Sequence, residues 1–133
     1  MKKHAIIYNK FTFLNKHGFS YNHIHDKDLY HVCKFEKQNL SIAIEYDFHN
    51  EFLDFTIKSG VNILLQTSYA NVITGKGYEC NEGFITNLKT IYLLPKKSYS
   101  LSDKQFNMLL NLYAEYVLIN LKELQDYNFT KHQ

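Results

Sequence analysis

Residues 40–58 read LSIAIEYDFHNEFLDFTIK, and their alternation decides the fold. Leu40, Ile42, Ile44, Tyr46 and Phe48 alternate with Ser41, Ala43, Glu45 and Asp47. Beyond His49-Asn50, Leu53, Phe55 and Ile57 alternate with Asp54, Thr56 and Lys58. A period of two is what a strand with one buried and one wetted face requires. A two-residue turn at His49-Asn50 pairs Tyr46 with Leu53, Ile44 with Phe55 and Ile42 with Ile57. A second turn at Gln38-Asn39 sets Phe35 beside Ile42 and Cys33 beside Ile44. The product is an antiparallel meander, apolar on one face and polar on the other.

Outward from this meander the period changes. Between Lys3 and His17, Ile7, Phe11 and Leu14 fall at helical spacing, and Gly18-Phe19 reads as a left-handed stop with its hydrophobic contact. Val61, Ile63 and Leu65 fit a fourth strand within the ambiguous run 61–74, which Gly75-Lys76-Gly77 breaks. Phe84, Ile85, Leu88, Ile91 and Tyr92 predict a second helix ended by Pro95. Ser102-Asp103-Lys104-Gln105 is a capping box, and Phe106, Leu109, Leu110, Tyr113, Val117, Leu121 and Leu124 form one stripe of a third helix. The expected fold is α+β: a meander of three to five strands with helices packed on one face, in the order α-β-β-β-(β)-α-α. At 133 residues the chain reads as one compact domain, 1–133.

Composition narrows the function. All fifteen basic residues are Lys, and without Arg the bidentate reading of phosphate and guanine is missing, which argues against a nucleic-acid partner. Charge is uneven: residues 38–82 carry two Lys against six acids, in a chain of net charge +2. Cys33 and Cys80 have neither metal-type nor disulfide-scaffold spacing. The opening MKKHAIIYNKF has too short an apolar run for a signal peptide, and no stretch reaches membrane-spanning length, so a cytoplasmic protein without membrane attachment is expected. Gly75-x-Gly77 lacks the partners of a phosphate loop, and no nucleophile has its base. No enzyme activity and no cofactor are expected.

Two constellations remain. In YNHIHDKDLYH, residues 21–31, a hairpin through Asp26-Lys27-Asp28 puts His23 across from His31, with His25 diagonal and Cys33 next on the same face. Three His and a Cys within reach make an acceptable transition-metal set. The plainer reading starts from the same geometry, since His31 and Cys33 share a face with Phe35 and Ile44 and would point into the core. The H-x-H-x-D-H pattern of metallo-hydrolases also fails, with Lys27 and Asp28 where it needs Asp and His.

The second constellation is acidic. The register that aligns the core sets Glu45 opposite Asp54 on the polar face, with Asp47 nearby and Glu51 at the turn. Like charges across a strand pair cost about 0.2–1 kcal/mol, a cost that Lys34 and Lys58 on the same face would offset. With Tyr30 and Phe52, these carboxylates would form a docking surface for a basic protein, which fits better than acid–base catalysis on a flat, unenclosed face.

The helix ending in FLNKHGF, the meander VCKFEKQNLSIAIEYDFHNEFLDFTI and the helix LSDKQFNMLLNLYAEYVLINLKEL together resemble small bacterial immunity proteins of polymorphic or contact-dependent toxin systems. The resemblance covers residues 10–58 and 101–125 and rests on pattern, so it transfers no site residues. It implies a non-enzymatic, cytoplasmic inhibitor, monomeric or homodimeric, that binds a cognate protein toxin, a basic nuclease being one such target. The metal-binding reading through His23, His25 and His31 is the alternative.

Overall fold

The computed structural model describes residues 2–26, 30–47, 53–67, 82–94 and 101–131. The chain starts with helix α1, Lys3–Phe11, continued by a 3-10 turn, Thr12–His17. The expected single helix therefore tightens over its second half, which keeps Ile7, Phe11 and Leu14 on one buried side. Gly18 closes it at φ 86°, its N–H donating to the Asn15 and Leu14 carbonyls. The Phe19 N–H reaches back to Leu14 O at 3.2 Å. Both side chains are buried, completing the left-handed stop with its apolar contact.

Five strands follow: β1 (Ser20–Asp26), β2 (Tyr30–Lys37), β3 (Leu40–Asp47), β4 (Leu53–Ser59) and β5 (Asn62–Thr67). They form one antiparallel meander in chain order. The pairs Phe35–Ile42, Cys33–Ile44, Ile42–Ile57, Ile44–Phe55 and Tyr46–Leu53 stand as the alternation dictates. Two details differ from the sequence reading. The ladder shifts register between Ile57 and Lys58, so Leu65 joins the core opposite Ile57 while Ile63 lies opposite Lys58. Val61, expected in the strand, sits ahead of it and is 95% exposed. Residues 68–74 and Pro95 lie outside the described residues.

Helix α2 spans Glu82–Tyr92 and α3 spans Asp103–Lys131. The whole predicted stripe from Phe106 to Leu124 is buried. It packs with Ile7 and Phe11 onto Phe35, Ile44, Phe55 and Ile57, so the helices gather on the inner sheet face. No described helix is long and apolar enough to cross a membrane.

Tyr92, Tyr113 and Gln105 carry hydrogen bonds inside this core. Tyr92 donates to the Leu53 carbonyl at 3.2 Å, and its oxygen lies 3.2 Å from that of Tyr113. Burial pushes the Tyr113 phenol up to about 12 and Tyr92 well above its ordinary value, so both remain neutral donors. Gln105 closes the capping box, its N–H donating to Ser102 Oγ and its Oε1 accepting from the Ser102 N–H. Its Nε2 donates to Ile91 O at 3.0 Å, which satisfies a carbonyl at the end of α2. One side chain thus starts α3 and finishes α2. Replacing Gln105 with Ala is expected to cost about 2 kcal/mol in urea denaturation, against about 1 kcal/mol for Ser102→Ala, because only the first strands the Ile91 carbonyl.

Candidate functional site

β1 and β2 place their odd-numbered residues inward. Tyr21 lies opposite Phe35, His23 opposite Cys33 and His25 opposite His31. The hairpin thus closes one residue further along than a loop at 26–28 requires, which shifts each cross-strand partner by two, and His25, not His23, faces His31 directly. A slip of two leaves every side chain on its original face, so all three histidines still converge.

Helix α1 lies over these strands, and its contacts follow β2 in order. His4 stacks on His23, with ring centroids 4.4 Å apart and planes at 16°, and sits 4.7 Å from the His31 ring. Tyr8 and Phe11 then meet Phe35 at 6.1 and 6.0 Å. His4 was absent from the sequence reading. Its signal was present, since His4, Ile7, Phe11 and Leu14 form one stripe at spacings of three, four and three.

His23 Nε2 and His31 Nδ1 are 2.7 Å apart, a distance at which one ring's N–H points at the other's lone pair. One ligand nitrogen each from His4, His23 and His31 lies within 4.8 Å of the others. Nitrogens around a tetrahedral ion are about 3.4 Å apart for metal–nitrogen bonds of about 2.0–2.1 Å. The 2.7 Å pair and the 4.8 Å limit stand on either side of that value, and an ion held there would take the place of the proton shared by His23 and His31. His25, exposed, has its ring 5.6 Å from both the His23 and His31 rings. Cys33 is not in the set: its Sγ faces the His4 carbonyl at 3.8 Å, and burial pushes its thiol pKa up. An all-imidazole set suits zinc, copper, nickel or cobalt and is poor for magnesium or calcium.

On the outer face Glu45 does stand opposite Asp54, with Val32 on the other flank of Glu45. Ile24, paired with Val32, is 43% exposed. Lys34 Nζ lies 3.9 Å from Glu36 on this face. Tyr30 opens β2, its backbone opposite those of Asp26 and Asp47. Glu51 and Phe52 lie outside the described residues.

Burial holds the His31 pKa below its ordinary value near 6.5, helped by His4, His23, His25 and Lys2; burial and then His4 and His25 do the same for His23. The unfolded chain therefore binds protons more readily just below pH 6.5, so stability is complete above that pH and is lost as the pH falls through it. Thermal melts between pH 7.5 and 5.5 should show this fall, and His31→Gln should flatten it. The chain matches no family model, no curated protein and no solved structure, so the reading of these sites rests on their geometry.

Proposed function

We propose that this protein binds a transition-metal ion of the zinc, copper, nickel or cobalt class through His4, His23 and His31. The carrying observation is the convergence of one nitrogen from each of three separate elements within 4.8 Å. The three stacked imidazoles gather a ligating nitrogen each at one half-buried spot. Partial burial favours the neutral form of His23 and His31, which is the form that ligates. This reading departs from the expectation of a protein without a cofactor.

Tag-free, chelator-stripped protein should take up one equivalent of Zn2+ in calorimetry. Co2+ should give the visible absorption of a nitrogen-ligated ion. His31→Ala should weaken binding about 100-fold, whereas His25→Ala should cost less. Absence of binding at about 1 mM Zn2+ sinks the reading.

A second reading is favoured by a different observation, the Glu45–Asp54 pair on the sheet face away from the helices. Like charges placed face to face reduce stability, and the neighbouring Ile24 and Val32 add apolar surface to the same patch. Such a face suits a basic protein partner, in keeping with inhibition of a cognate toxin. Co-expression with a toxin encoded beside its gene should restore growth, and Glu45→Lys with Asp54→Lys should abolish the rescue. Unchanged rescue would remove this face from consideration.

A further inference from the structure

We infer that ion binding at His4, His23 and His31 fastens the first turns of the N-terminal helix to the sheet, so that metal occupancy governs whether this helix end is docked. The inference rests on the metal-binding reading and adds a consequence to it. His23 and His31 lie on neighbouring strands and are held together by the sheet ladder. His4 belongs to a helix of nine residues, so it reaches the other two only when that helix is seated.

Helix α1 has little stability of its own. Isolated helices shorter than about 12–15 residues are marginal in water. Its N-cap, Lys2, makes no side-chain cap bond, and its first turn holds no acidic residue. The second half is anchored by Ile7 and Phe11, both fully buried. The first turn has polar tethers instead: Lys3 bridges to Asp103 at 2.6 Å and lies 4.3 Å over the Phe106 ring, and His4 packs in the imidazole group. The bridge involves an exposed Asp103 carboxylate and is weak in water. The imidazole contacts are therefore where an added ligand gains most. An ion that binds only the docked form favours it by a factor of one plus its concentration over its dissociation constant.

Beneath this helix end lies a reporter. Cys33 is fully buried, and its Sγ lies against the His4 carbonyl. When the first turn lifts, that thiol loses its cover.

The test is hydrogen exchange of the α1 amides at residues 5–8, with and without saturating Zn2+. Alkylation of Cys33 in a Cys80→Ser background provides a second readout. Zn2+ is expected to slow both about tenfold in the parent protein. In His4→Gln the ion should bind more weakly and protect neither. His23→Gln, which leaves the helix itself unaltered, should lose the same protection. One equivalent of bound Zn2+ with unchanged exchange and alkylation overturns the inference and leaves the metal-binding reading standing. Protection that persists in His4→Gln also overturns it. Failure to bind Zn2+ overturns both.

Discussion

A strand offers its side chains to its two faces in strict alternation, and this constraint governs the molecule from the core to the site. Once Phe35, Ile44 and Phe55 are committed to the inner face by their apolar character, every second residue of β2, β3 and β4 goes with them. His31 and Cys33 are carried inward by Phe35. Pairing of β1 then brings His23 and His25 to the same side. The imidazole group is a consequence of the hydrophobic pattern, set where the β1–β2 end of the inner face turns polar.

The same constraint explains what could be read in advance. The β3–β4 pairing and the buried stripe of α3 followed from period alone, because each residue in them obeys one rule. The β1–β2 partners stand two residues from those a loop at 26–28 dictates, yet the three histidines share one face all the same, since facing depends only on odd or even slips. Val61 departs from the expected strand because it stands with Gly60 in the turn ahead of β5, and the shift at Ile57/Lys58 interrupts the alternation beyond it. His4 was missed for a different reason. Helical spacing marked its stripe, but which strands a helix covers is a tertiary fact, settled here by Tyr8 and Phe11 packing on Phe35. For the polar face, the Glu45–Asp54 pairing was legible from register, while its use was not.

The charge surroundings of the imidazole group bear on what it would hold. Lys2 adds a positive field at His31, and His4, His23 and His31 bring no negative charge of their own. A dication there would gain its affinity from nitrogen coordination, which disfavours hard ions that rely on carboxylates. It also makes the site responsive to acidity, because protons compete for the same lone pairs.

Lys3 and His4 are consecutive, yet one reaches α3 and the other reaches the first hairpin. The Lys3–Asp103 contact spans 100 positions of the chain. During synthesis at about 5–20 residues per second, the N-terminal turn must therefore wait on the order of 5–20 seconds before its partner emerges. The Lys3–Asp103 bridge thus closes only after the strands that carry His23 and His31 have been made.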